Sequence, residues 1–181
     1  EGCGAQAGTM CYTPPAYDKT GNFGSVALNA GPTERILDTA SKNAVEVRVR
    51  RLDDAHDRDA VGLIKIDVEG MEAEVLRGAE NLIASQRPLL YVENDREENS
   101  QELIELVLSM DYQAWWHVCP LYHADNFFGV AHDIYTGTVS INMICAPKGS
   151  DADFSKDFPL VRRDEPHPIS AVRERNKPGS I

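Results

Sequence analysis

The stretch that most narrows the fold is Gly62-Leu63-Ile64-Lys65-Ile66-Asp67-Val68-Glu69-Gly70. A short apolar run bounded by glycines reads as a buried strand of a parallel sheet, covered on both faces. The period then changes. Met71, Val75, Leu76, Ala79, Leu82 and Ile83 recur at intervals of three and four, the apolar stripe of a helix, while Glu72, Glu74, Arg77 and Glu80 take the wet side. Gly78 is a place for that helix to break or bend. Pro88 ends the connection, and Leu89-Leu90-Tyr91-Val92-Glu93-Asn94 is a second buried strand. Strand, crossover helix and strand make a βαβ unit, which forces a parallel pair.

The alternation continues. Asn99 can cap a second helix, with Glu102 as its capping-box partner and Leu103, Ile104, Val107 and Leu108 as its stripe. Tyr112 to His117 is a third strand, a looping stretch runs from Pro120 to Gly137, and Val139 to Ala146 is a last strand. Upstream, Glu46 to Leu52 is a strand with Val45, Val47 and Val49 on one face. Before it, two β-like stretches between Gly8 and Leu28 flank Pro14-Pro15, and Gly21 to Ser25 signals a turn. From Pro147 onward the chain is rich in Pro, Asp, Arg and Ser with little periodicity. The pattern predicts an α/β fold with helices on the faces of its sheet, one domain over residues 1–147, and an irregular tail over 148–181.

Composition removes several function classes. With 181 residues, 42% hydrophobic and 26% charged, the chain suits a globular domain with a real core. A formal charge of -11 argues against a nucleic-acid partner, whose phosphates need clustered Lys and Arg. In Val47-Arg48-Val49-Arg50-Arg51, period two puts Arg48 and Arg50 on one solvated face. No apolar run is long enough for a membrane span. Cys3, Cys11, Cys119 and Cys145 lack zinc-type spacing and read as reduced thiols, with Cys11 and Cys145 in apolar strands. That favours a reducing, cytoplasmic setting.

Glu1-Gly2-Cys3-Gly4-Ala5-Gln6-Ala7-Gly8 imitates a cofactor-cradling glycine loop, but a prolyl-terminated β run follows it where a helix is needed, so it reads as a turn entering a strand. The chemistry is expected instead at the carboxyl ends of the parallel strands. Asp67 and Glu69 close the first, and Glu93, Asn94 and Asp95 close the second. If Asp67 and Glu69 are both extended they share a side, about 6 to 7 Å apart along the strand. Such a pair can accept a proton, hold a cation or bind hydroxyls; equally, Asp67 can cap the strand–helix junction and Glu69 the helix. Gly70 allows the sharp turn into the helix, whose first N–H groups face back toward the strand end. His56, His123 and His132 are loop histidines, solvated or basic in function. Trp115-Trp116 alternates faces, one for the core and one for a groove, and Phe127-Phe128 can wall a pocket or cover the sheet.

Leu63 to Glu72, then Val75 to Ala79, Arg87-Pro88 and Tyr91-Val92-Glu93, resemble the core signature of the FkbM-family methyltransferases. The resemblance extends through Asn22 to Ser25 and Leu52 to Asp54, and through the helix near Leu103 to Asn142-Met143, covering about Gly4 to Pro147. It implies a partial class I methyltransferase-like (Rossmann-like) sheet with a closing antiparallel strand pair. It also implies S-adenosylmethionine as cofactor and O-methylation of a small molecule or sugar hydroxyl. In that frame Asp67 and Gly70 serve the donor, Asp67 and Glu69 do catalytic work, and Glu93, Asn94 and His123 meet the acceptor, with no metal. The family's first strands, glycine-rich loop and ribose-binding acid have no counterpart here, so the resemblance implies an N-terminally truncated chain that binds the cofactor poorly by itself. Two alternatives stand beside it: a metal-assisted hydrolase using Asp67, Glu69 and Glu93, and a non-catalytic α/β binding domain.

Overall fold

A computed structural model describes residues 1–18, 28, 44–55 and 60–170. The expected turn at Gly21 to Ser25, the Asn22 to Ser25 part of the family resemblance, and His56 lie outside these residues. The chain forms two compact units, Glu1–Val61 with Asp67–Arg87, and Gly62–Ile66 with the chain from Pro88 onward.

The first unit holds a small sheet. β1 (Gly2–Cys3) pairs parallel and β2 (Gly8–Tyr12) antiparallel with β3 (Val45–Arg50), in the order β1-β3-β2. The glycine-rich opening is thus two strands joined by a turn, and Pro14-Pro15 follows β2 as expected. On the valine face Val49 is buried while Val45, at the start of the strand, is exposed; period two puts Arg48 and Arg50 on the other side, where both reach the Glu1 carboxylate. α1 (Leu52–Ala55) begins where the strand was expected to continue.

The helical stripe from Met71 is two helices rather than one, α2 (Glu72–Arg77) and α3 (Glu80–Gln86), parted at Gly78-Ala79. Gly78 has ordinary helical dihedrals, so strain does not require glycine there. Close approach does: a methyl group on Gly78 would overlap the backbone carbonyl of Gly4. The Gly4 amide in turn donates to the Arg50 carbonyl at 3.0 Å, and the Asp53 amide to the Gly78 carbonyl at 2.9 Å. Asp53 supplies the cap that α3 lacks locally. Its carboxylate accepts the Asn81 amide at 3.2 Å and the Leu82 amide at 2.9 Å, which meets two of the orphan donors at a helix start.

The second unit is built on one sheet in the order β4-β5-β7-β6, with β4 (Leu63–Ile66), β5 (Leu89–Glu93), β6 (Tyr112–Pro120) and β7 (Val139–Pro147). β4 and β5 are parallel, and β7 lies antiparallel to both β5 and β6. This is the expected parallel pair with its closing antiparallel pair. Register makes the core legible: Ile64, Leu90, Cys145 and Ala114 form one row across four strands, and Ile66, Val92, Met143 and Trp116 the next. All eight are buried. Rows of this kind stabilise by about 1.5–3 kcal/mol per large apolar side chain.

α4 (Glu97–Ser109) links β5 to β6 and packs against β6 through a stripe in which Leu103, Ile104 and Val107 are buried. It starts before the expected Asn99 cap. Arg96 holds the N-cap position without a side-chain bond, and the Asn99 amide donates to the Arg96 carbonyl at 3.1 Å. Trp115 and Trp116 do take opposite faces, but both are buried, because Phe154 meets Trp115 and His167 meets Trp116 edge-on. The groove expected beside one of them is filled. Those partners come from the segment expected to be an irregular tail. It has little regular structure, yet it docks along the outer edge of β6, where the Trp116 amide donates to the Pro159 carbonyl and the Val161 amide to the Ala114 carbonyl, each at 2.8 Å.

All four cysteines are unpaired. Only Cys145 has the burial expected of a core thiol; Cys3 and Cys11 are half-buried and Cys119 is exposed. Two predictions follow from this packing. Gly78→Ala should destabilise the first unit by about 1–3 kcal/mol, because the clash is with backbone that cannot rotate away; thermal denaturation reads it. Burial pushes the Cys145 thiol up from its ordinary range, so the native protein should be alkylated at Cys119 within minutes while Cys145 stays unlabelled until unfolding, as peptide mass mapping will show.

Candidate functional site

β4 runs into Asp67-Val68-Glu69-Gly70, and the turn there is neither the extended pair nor the Asp67 and Glu69 caps considered for it. The strand ends at Ile66, Glu69 has φ 55° and Gly70 φ 94°. With Glu69 in the left-handed region, the period-two argument that set Asp67 and Glu69 on one side no longer applies. Asp67 is exposed and Glu69 half-buried.

The side chain that organises this turn is Glu72, expected on the wet face of the helix. It is 6% exposed. Its Oε1 accepts the Gly70 amide at 2.9 Å and the Val68 amide at 3.3 Å. The caps considered for Asp67 and Glu69 are therefore supplied from inside the first turn of α2, folding back on its own entry. Helical periodicity could not show this, since it records faces and not a loop curling over one of them. The Gly70 amide is committed to Glu72 and is not a free donor.

In the second unit, the parallel relation of β4, β5 and β6 places their carboxyl ends on one edge of the sheet. Glu93 closes β5 half-buried, in register with Asn142 of β7 and, one strand further, His117 of β6. Asn94 is buried: its amide donates to the Ile141 carbonyl at 2.8 Å, its Nδ2 contacts Met143 Sδ at 3.4 Å, and its carbonyl accepts from His167 Nε2 at 2.7 Å. His117 was not among the candidate histidines, because it closes an apolar strand. It meets the Tyr91 hydroxyl through Nδ1 at 2.9 Å and the Phe158 ring edge-on. Counting by two places it on the face of Trp115, and the register through Asn142 puts that face on the side of Glu93.

β6 and β7 stay paired for three residues past the level of Glu93, to Pro120 and Val139, so their hairpin projects by about 10 Å. The loop at its end carries His123, which is exposed, with Nδ1 accepting the Asp125 amide at 3.2 Å. Backbone N–H groups of Gly137, Tyr135 and Thr136 hold the Asp133 carboxyl below the usual carboxylate range. Phe127 and Phe128 touch each other and are 95% and 85% exposed. They neither wall a pocket nor cover the sheet.

Asp67, Glu69 and Gly70 thus belong to the first unit, and Glu93, Asn94 and His123 to the second. Among the described residues no group of three or more His, Cys, Asp or Glu side chains is placed to hold a metal ion, so the hydrolase alternative finds no ligand set there. Among the same residues no helix is long and apolar enough to cross a membrane.

Residues 3–114 match the family model of the methyltransferase FkbM domain. A crystal structure of methyltransferase FkbM from Methylobacillus flagellatus is 26% identical over 55% of this chain, with a TM-score of 0.39. The match spans only 23% of that protein's length. No curated protein matches the chain.

Glu72→Ala should leave the Val68 and Gly70 amides without their acceptor and lower stability by about 1–3 kcal/mol. Glu72→Gln, which keeps a side-chain carbonyl, should lose less. Urea denaturation of the two variants reads the difference.

Proposed function

The chain belongs to the FkbM methyltransferase domain family, and on that premise we propose that it serves methyl transfer from S-adenosylmethionine to a hydroxyl oxygen of a small molecule or sugar. The observation that carries this reading is the family match itself, which includes both acid-ended strands, β4 and β5.

The residues fit the cofactor in part. Asp67, exposed just past β4, is a carboxylate able to accept hydrogen bonds from hydroxyl or amino groups. The Gly70 amide is already engaged by Glu72, so the role left to Gly70 is the turn its positive φ allows. S-adenosylmethionine supplies an electrophilic methyl group on a sulfonium, which leaves the protein to position the acceptor and receive its proton.

Carboxylates suit both tasks. In this reading Asp67 works on the donor side, and Glu69 receives or orients the acceptor hydroxyl. Glu93 contributes to acceptor binding from the end of β5, and Asn94 does so by holding that end in shape. His123, exposed on the projecting loop, is free to reach a polar acceptor through Nε2 while Nδ1 serves its own turn.

Calorimetry with S-adenosylmethionine on the protein at its full natural length should show binding. Asp67→Asn should weaken it on the order of tenfold, the scale of a charge-assisted hydrogen bond. Absence of binding by the unaltered protein would overturn the reading.

A further inference from the structure

The residues after β7 lie outside the stretch that matches the family model, yet they reach the end of β5. Register shows how. Trp115 and His117 face one side of the sheet, Ala114 and Trp116 the other. Phe154 packs edge-on against Trp115 at 5.5 Å and Phe158 against His117 at 5.0 Å, both on the first side. Leu160 then bridges Trp115 antiparallel, along the free edge of β6. Beyond that edge His167 packs against Trp116 at 5.3 Å, on the opposite side. The segment therefore passes from one face of the sheet, around the edge strand, to the other.

It ends on a specific anchor. His167 is 8% exposed. Its Nε2 lies 2.7 Å from the Asn94 carbonyl, which can only accept, and its Nδ1 takes the Ile169 amide at 3.2 Å, which can only donate. The two partners together assign a neutral ring protonated on Nε2. Ser170 Oγ adds a bond to Glu97 Oε1 at 2.9 Å, at the start of α4. Asn94 thus has its amide held by β7 and its carbonyl by His167.

We propose that residues 154–170 are a strap that fixes the carboxyl end of β5, with His167 as a positioning residue acting through the Asn94 carbonyl on the backbone that presents Glu93. The strap is a feature of the fold in any case; its meaning for acceptor binding rests on the methyltransferase reading above. The Asn94 N–H and C=O belong to the peptide units on either side of its Cα, so holding both restrains the backbone dihedrals of Asn94 just past Glu93. A side chain one residue away is then aimed by the frame and not by its own contacts alone.

Three measurements on the full chain test this. Nitrogen NMR of the His167 ring should show the proton on Nε2; a ring protonated only on Nδ1 could not donate to Asn94 and would overturn the proposal, with no variant required. His167→Phe keeps a ring against Trp116 and removes the donor, so exchange of the Asn94 amide should rise on the order of tenfold while the amides of α4 and central β5 keep their protection. His167→Gln, which restores an N–H donor, should bring Asn94 back to within about twofold of the original rate. Equal rates in all three proteins, or a uniform rise across the sheet in His167→Phe, would overturn the positioning role. Calorimetry with S-adenosylmethionine, run alongside, separates the two readings: failure to bind sinks the methyltransferase assignment and leaves the strap to stand or fall on the exchange data.

Discussion

Leu90 and Val92 are wholly buried on one side of β5, and β5 is hydrogen-bonded along both edges, to β4 in parallel and to β7 in antiparallel register. A strand in that position has no latitude. Its backbone donors and acceptors are consumed by two partners, and a slip of one residue would turn both apolar side chains to the opposite face. The rest of the second unit is set from there. The direction of β4 follows from one edge and the reversal at β7 from the other, and β6, antiparallel to β7, runs the same way as β5. The carboxyl ends of three strands then share an edge, which is where the acidic strand end and the projecting hairpin are found.

The first unit is held by a different device, polar atoms that settle backbone donors at a distance. Asp53 caps α3 from α1, and Glu72 closes the turn after β4 onto its own helix. Gly78 lets the Gly4 carbonyl pass close by. Each contact leaves out something ordinary, a local cap or a side chain, and makes good the loss with a partner elsewhere. The Asp67–Gly70 turn is therefore held by Glu72 through the Val68 and Gly70 amides.

The elements were mostly legible because period is a local property. Short apolar runs marked β4, β5 and β7, intervals of three and four marked the stripe of α4, and the strand-ending acids pointed to the edge where ligands bind in such sheets. The misreadings share a cause. Glu72 sat at a polar position of the helical repeat, which says nothing of a loop returning over it. The shared side for Asp67 and Glu69 depended on the strand continuing through both, and the strand stops at Ile66. Phe127 and Phe128 looked like covering residues because large rings usually are buried, whereas the hairpin carries them past the end of β5.

By itself the sequence determined the α/β class, the parallel β4–β5 pair with its antiparallel closure, and the family, since each is encoded in a contiguous pattern. Only the tertiary structure decided which polar groups are already spent. The Gly70 amide goes to Glu72, and the Asn94 carbonyl goes to His167, 73 residues further along the chain. It also decided that a stretch without periodicity is an ordered strap, because its rings and backbone find partners on an edge that exists only once β6 and β7 have paired. A hydrogen bond depends on where two groups meet, and no repeat in the sequence records that meeting.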